Sequence, residues 1–515
     1  MRSSFAIKPL VTAIAAFSVA SVAQAAGLDR SGQDTTAFFQ DGTYAEAVYT
    51  YIDADVTGKD ERGKKISDIA ESYDFFRYGV KTDIDDTFSI GVLYDEPWGA
   101  AADYSGDNTF VGPDNVTGAG IVQSVADQGI RNTSSSIQQI QNILNNENTS
   151  QTERQVLSTA LPVLQGSLNQ FEKIKENPSQ ENLQNFINTG KEQFDNLKPT
   201  ISAVQDQLSP QALQILNNTE KGLVQAGQGA GAAAQVNAQN QGAVLKGTKV
   251  EVRSNSLSLI GGMKFGANNQ FQIYGGPVAQ RIKAEVRLRG DAYKGASGYT
   301  ATLLPDQDYG FLAGISYSKP EIALKAALTY RSEIDHSINL REEMPGAFLK
   351  GKASARNGVF EITTPESYNF DLQTGINPTT LATAKVRYVP WSDFSISPTL
   401  YNEVSGVPLV NYSDDQWQVE LGLGKRIADN LAISGTVGWD SGAGNPTTSL
   451  GPIEGYYSVG LGAKYDITKN WAISAGGKYL MFGDAKGSLP DRDVVSDFDD
   501  NDGFALGVKL SYQDK

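Results

Sequence analysis

The sequence predicts an all-β transmembrane barrel of about fourteen antiparallel strands, with a short N-terminal segment before the first strand and a large α-helical insert between the third and fourth strands. Three observations carry this. Long segments place apolar residues at every second position, short turns alternate with long loops, and aromatic residues flank the short turns. In residues 281–289 every odd position is charged and every even one apolar, and comparable alternation recurs at 322–330, 417–423, 431–439, 457–465, 471–481 and 504–512. A soluble sandwich also alternates, but its strands run about 5–6 residues; these run about 10 or more, the length a tilted strand needs to cross a bilayer. The turns at 266–269, 428–430 and 468–470 are short, and the loops at 290–305, 340–358 and 484–502 are long. Phe265 and Phe271 bracket one short turn, Tyr465 and Trp471 another.

Taken in order, residues 1–25 read as an export signal: Arg2 and Lys8, an apolar run at 9–22, then Ala23-Gln24-Ala25 before the expected cleavage point. Residues 26–42 precede the first strand. Barrel strands 1–3 fall in 43–105, near 43–57, 67–81 and 87–104. Strands 4–14 fall in 247–515, near 247–265, 270–289, 307–318, 321–338, 360–376, 380–400, 414–427, 431–441, 453–466, 470–482 and 503–513. Between them, residues 106–246 switch to helical spacing. Leu157, Leu161, Leu164, Leu168 and Phe171 step by fours and threes, as an amphipathic helix requires. Three to five such helices are expected, Ser209-Pro210 marking one helix start, and the Gly/Ala/Gln tract at 225–241 reads as a flexible return linker. An outward-going strand precedes the insert, which places it outside the cell.

Composition narrows the function. Of 515 residues, 43 are Lys or Arg and 59 Asp or Glu, for a net charge of −16, with no Cys and a single His. The acidic balance argues against nucleic acid as a partner. The absent thiols remove disulfides, a Cys metal site and a cysteine nucleophile, and one imidazole cannot build a multi-histidine centre. No metal, no cofactor and no catalytic residue is expected: the chain does not read as an enzyme. His336 stands between Asp335 and Ser337, but neighbours on a strand point to opposite faces and form no relay. The acidic stretch 497–501 lacks the closing Glu of a calcium loop, Val508 standing there instead.

The segment Val92-Leu93-Tyr94-Asp95-Glu96-Pro97-Trp98-Gly99, the run Tyr388-Val389-Pro390-Trp391-Ser392-Asp393-Phe394, the block 417–430 with its Leu-Gly-Leu-Gly and Ala-Asp-Asn turn, and the block 456–484 resemble the FadL/TodX family of outer-membrane transporters. The resemblance covers nearly all of the barrel and misses the helical insert. It implies a fourteen-stranded barrel plugged by an N-terminal hatch, a kinked third strand that opens sideways, and passive uptake of long-chain fatty acids or related hydrophobic compounds across the outer membrane of a Gram-negative bacterium. The family's longer hatch with its Asn-Pro-Ala element is not seen in 26–42.

Candidate site residues follow. Pro97, which cannot donate to a strand ladder, with Trp98 and Gly99 marks either a lateral opening or simply the end of the strand where it leaves the membrane. Arg281, Lys283, Arg287, Lys325, Arg331 and Arg387, together with Arg253, Arg289 and Lys385, are assigned to the lumen, because a cation facing hydrocarbon costs about 2–4 kcal/mol; there they could meet a carboxylate or pair structurally with acids. Phe38 and Phe39 of the hatch either touch an apolar ligand or pack the plug against the wall. The expected partners are a fatty acid or hydrocarbon ligand and the surrounding outer-membrane lipid and lipopolysaccharide, with the protein acting as a monomer. A general solute porin, or an adhesin using the insert, are the alternative readings.

Overall fold

The structure is a computed structural model that describes residues 27–112, 119–239, 247–489, 491 and 493–514; the expected export signal at 1–25 lies outside the described residues. Among those residues fourteen strands close into an antiparallel barrel. They are β1 (Thr43–Asp55), β2 (Tyr73–Asp83), β3 (Phe88–Asp95, continued by Gly99–Asp103), β4 (Lys249–Phe265), β5 (Phe271–Arg287), β6 (Thr300–Lys319), β7 (Leu324–Arg331 and Ile334–Glu343), β8 (Ala355–Thr364 and Ser367–Asn377), β9 (Thr380–Val389), β10 (Gln416–Ala428), β11 (Leu431–Asp440), β12 (Glu454–Asp466), β13 (Trp471–Gly483) and β14 (Asp502–Asp514). The register from Thr43↔Asp514 to Asp55↔Asp502 joins the last strand to the first and leaves no free edge.

Alternation decides which side chains face outward. Across the middle of the wall, Leu257, Leu259, Ile273, Val437, Val459, Leu461, Leu506 and Val508 stand exposed, while Ser256, Ser258, Gln272, Lys478 and Lys509 point inward and are buried. Aromatic rings line up on the outer face: Tyr330, Tyr368, Tyr388 and Trp417 follow one another at 5.1, 6.1 and 4.7 Å between centroids, an interfacial belt.

Toward the long-loop end the pattern inverts. On β5 the outward positions Phe271, Ile273 and Pro277 give way to Arg281, Lys283 and Glu285, while Ile282 and Val286 turn inward and are buried. The inner apolar residues join a core with Tyr104, Phe110, Tyr293, Tyr299, Trp391, Phe394 and Leu400 from the loops. A strand longer than the hydrocarbon is thick meets water outside and packed loops inside once it leaves the bilayer, so the same alternation serves opposite solvents at its two ends.

Among its described residues the insert holds four α-helices: α1 (Ala119–Leu144), α2 (Gln151–Glu176), α3 (Gln180–Ala203) and α4 (Pro210–Gln239). The hydroxyls of Ser150, Ser179 and Ser209 each accept a backbone N–H of the first turn of α2, α3 and α4. The tract expected to be a flexible linker is instead the second half of α4 as far as Gln239. Ala226, Ala230 and Ala233 repeat at helical spacing and are buried against Val122, Val125 and Phe171. Alanine is the strongest helix former, and this packing outweighs the glycines between.

Candidate functional site

Residues 27–42 enter the lumen and are held there by charge. Asp29 takes a bidentate bond from Arg387. Asp34 lies 2.9 Å from Lys385 and 3.3 Å from Arg77, and Arg77 and Lys509 also meet Glu46 at 3.4 Å each. Burial opposes the charge of Asp34, yet Lys385 and Arg77 hold its carboxyl far below the usual carboxylate range. Asn369 donates to the Gly32 carbonyl at 2.8 Å, and Ser31 donates to Asp95 at 3.1 Å. Gly27, at φ +69°, lies so close to Trp391 that a Cβ there would come within 2.5 Å of the indole. Asp34 caps a single 3-10 turn, Thr36–Phe39, through the Thr36 N–H at 2.7 Å.

That hatch pairs with the kink in β3. Between Asp95 and Gly99 the strand turns inward: the Arg30 N–H donates to the Pro97 carbonyl and the Gly99 N–H to the Leu28 carbonyl, both at 2.8 Å, while Asp29 and Trp98 form an antiparallel bridge. On its far side β3 stays tied to β4, where Ser254 donates to the Trp98 carbonyl at 3.0 Å and accepts the Trp98 N–H at 2.8 Å. Toward β2 the ladder runs from Asp83↔Ser89 to Tyr78↔Tyr94 and then stops; the next rung is the isolated bridge Ala70↔Ala102. A gap in the wall therefore lies between β2 and β3, level with Tyr73 and Pro97. Proline cannot supply the missing ladder bond, and the Phe76 N–H on the opposite bank is taken by the Glu96 carboxyl instead.

Arg30 fills the gap. Its guanidinium sits 3.7 Å from the centroid of the Tyr73 ring, and a Cβ at Gly99 would lie 2.5 Å from its Cζ. The side chain is buried, its Nε has no hydrogen-bond partner, and it forms no ion pair among the described residues. Above the gap, Trp98 is buried edge-on to Trp391 at 5.4 Å, continuous with the aromatic core under the loops. Below the hatch lies a cavity of about 640 Å³ opening at the short-turn end, lined by Phe38, Phe39, Lys81, Lys264, Lys325, Asp371, Lys385 and Glu420. Its lining is mixed: Tyr317, Pro320, Ala326, Ala327 and Leu372 join the hatch rings on the apolar side, facing the charged groups.

The assigned residues separate into three groups. Lys325, Arg331 and Arg387 face the lumen: Lys325 donates to the Phe39 carbonyl and, at 3.1 Å, to Asp41; Arg331 donates to Ser258 at 3.2 Å; Arg387 holds Asp29. Arg281 and Lys283, by contrast, are not lumenal. They stand exposed on the outer face with Arg253, whose partner is Glu251 at 2.7 Å. Arg287 also has outward parity, buried where β5 pairs with Lys249 and Thr300 above the bilayer, and Arg289 binds the Leu288 and Tyr299 carbonyls in the loop core. The argument that cations must avoid hydrocarbon holds for all of them; Arg253, Arg281, Lys283, Arg287 and Arg289 satisfy it by height along the barrel rather than by facing the lumen. Phe38 is packed into the wall, where Gly91 and Gly262 leave room for its ring, and Phe39 meets Tyr274 at 5.1 Å. His336 is buried between Asp306 and Gln280, each 3.1 Å from a ring nitrogen.

Asp29, Arg30, Asp34, Tyr73 and Trp391 were not singled out from the sequence. The available signal was the presence of Asp29, Arg30 and Asp34 in a segment assigned to a lumen, since enclosed charges need partners on the wall.

No family model matches the chain, and no curated protein matches it in sequence. Among solved structures it is similar to a FadL homologue of Pseudomonas aeruginosa, with a TM-score of 0.56 and 12% identity over 97% of this chain and 98% of that one. The toluene transporters TodX of P. putida (0.48, 10% identity, 93% and 92% covered) and TbuX of Ralstonia pickettii (0.45, 9%, 98% of each) also align. The chain therefore shares the fold of the P. aeruginosa FadL homologue, the architecture its sequence resemblance implied.

Proposed function

We propose that this protein is an outer-membrane channel for passive uptake of long-chain fatty acids or related hydrophobic compounds, which leave sideways through the gap between β2 and β3. The observation that carries this reading is the interrupted ladder at Pro97, closed from inside by Arg30. The gap borders Ser254, next to the outer cation Arg253, and so lies at the outer boundary of the hydrocarbon, where an apolar solute leaving sideways passes toward the lipid tails. The alternative route, straight down, leads past Lys81, Lys264, Lys325, Asp371, Lys385 and Glu420 in the cavity beneath the hatch, charged groups that offer an alkyl chain nothing in exchange for their hydration. The aromatic core under the long loops adjoins the gap through Trp98 and offers apolar contact on the way in. The fold shared with the P. aeruginosa FadL homologue supports this reading. The channel works as a monomer, its apolar belt in outer-membrane lipid and its outer cations Arg281 and Lys283 level with the phosphates of lipid and lipopolysaccharide. Transport needs no cofactor and no covalent step: Arg30 and the backbone of 28–30 withdraw from the kink, and the ligand follows its gradient. Uptake of labelled oleate by cells with and without the gene, set beside liposome swelling in sugars, tests the proposal. Gene-dependent oleate uptake without sugar flux is expected; rapid sugar flux with oleate uptake unaffected by deletion would make the protein a general porin.

A further inference from the structure

The helical insert is hollow at one level, and its sequence makes it so. Along α1 the inward stripe runs Val122, Val125 and Ala126, then Gly129, Thr133 and Ser136, then Ile140. Along α4 it runs Ile215 and Leu216, then Thr219 and Gly222, then Ala226. On both helices large apolar residues give way to small and hydroxylated ones where they line one cavity of about 340 Å³. It lies between an apolar core around Phe171 and Phe186 and a second around Leu157 and Leu164, and its size is within the range of small-molecule sites.

Two of its hydroxyls are left over. A serine or threonine inside a helix can bond back to the carbonyl four residues earlier, and in this insert Ser124, Thr159, Ser167, Thr189 and Thr219 do so. Thr133 and Ser136 do not. They are 8% and 9% exposed, they line the cavity, and their hydroxyls have no hydrogen-bond partner among the described residues. Burying two unsatisfied hydroxyls opposes packing of the bundle, so an occupant that bonds them repays the cost.

The rest of the lining says what that occupant is. Gln128, Asn132, Asn218 and Gln225 add side-chain amides, Phe171, Phe186 and Phe194 add apolar surface, and the sole ionisable lining residue is Lys221, exposed at the rim. We propose that this cavity binds a neutral saccharide. Each sugar hydroxyl both donates and accepts, which amides and hydroxyls together can match, while the phenylalanines take the C–H face of a pyranose ring. Other ligands fit worse. Among the described residues no carboxylate lines the cavity to hold an amine and no guanidinium to hold a phosphate, and an alkyl chain would strand the two hydroxyls. The site goes beyond the transport reading; its sugar is either free in the medium or the end of a cell-surface polysaccharide.

Saturation-transfer NMR on the full chain in lipid nanodiscs tests this, with empty nanodiscs as the control. The probes are glucose, galactose, mannose, rhamnose and N-acetylglucosamine, and polysaccharide cleaved from the native host's lipopolysaccharide. Transfer to at least one probe is expected: to a monosaccharide if the ligand is free sugar, to the polysaccharide alone if it is a surface chain. Gly222→Leu fills the cavity and should abolish the signal; a Cβ at Gly222 meets nothing within 4 Å, and leucine favours a helix more than glycine does, so the variant keeps its fold. Thr133→Val/Ser136→Ala removes both hydroxyls at nearly constant volume and should weaken binding about tenfold. Lys221→Gln should leave it unchanged. No transfer to any probe at millimolar concentration, or a signal unchanged in Gly222→Leu or in the double variant, would overturn the assignment and leave a cavity that holds only water. Loss of binding in Lys221→Gln would make the ligand an acid and overturn the neutral class.

Discussion

Arg30 lies with its guanidinium 3.7 Å from the centre of the Tyr73 ring, so a hatch residue, not a strand, completes the barrel wall between β2 and β3. The contact has no carboxylate partner to anchor it among the described residues, and the backbone bonds to Pro97 and Gly99 that accompany it are two in number.

Removing that side chain should loosen the gap. Arg30→Ala is expected to lower stability by about 1–2 kcal/mol, the scale of a desolvated cation–π contact, and to raise the initial rate of oleate uptake in cells. Uptake that falls in a variant still inserted at normal level would show that Arg30 assists passage rather than closing the gap.

The hatch anchors behave differently. Arg387→Met leaves Asp29 buried without its cation and is expected to cost about 3–5 kcal/mol, read by urea unfolding in detergent. Adding Asp29→Asn should recover most of that loss, because the uncompensated charge is gone. A double variant as unstable as the single one would contradict the pairing.

Acid should release the hatch only at low pH. The folded Asp34 carboxyl is held far below its unfolded value of about 3.9. Its stabilisation is thus present in full above that value and declines as pH falls beneath it. Protease sensitivity of residues 27–42 is expected to stay flat from neutral pH to about 5 and to rise below about 4. A rise already at pH 6 would mean another group controls docking.

The outer cations give a contrasting prediction. Arg281→Gln and Lys283→Gln remove exposed charges that do not reach the lumen, so oleate uptake should be unchanged and stability should move by less than about 0.5 kcal/mol. Lys325→Gln, which takes away the contact to the Phe39 carbonyl and to Asp41, should instead loosen the hatch and raise its protease sensitivity.

How far the sequence reveals this can be seen on β5. A two-residue period shows that Arg281 and Ile282 face opposite ways, and fourteen such segments make a closed barrel legible. Period alone does not say which face is inside, and a strand that outruns the bilayer exchanges its solvents partway along. Height, which depends on strand tilt and loop packing, is written in no local pattern, and so Arg281 and Lys283 were misassigned. Pro97 could be read because proline's missing donor is a local property. Arg30 could not, because its role depends on a contact with Tyr73 across irregular backbone. The alanine-rich end of α4 was obscured by its glycines, the register of Ala226, Ala230 and Ala233 being the overlooked signal.

The most direct test locks the hatch to the kink. Asp29 and Trp98 are bridge partners, at the spacing a disulfide accepts, and the chain has no other cysteine. In Asp29→Cys/Trp98→Cys, oxidation is expected to abolish oleate uptake and reduction to restore it to the level of the reduced variant before oxidation. Full uptake through the oxidised, quantitatively cross-linked protein would contradict sideways release through this gap.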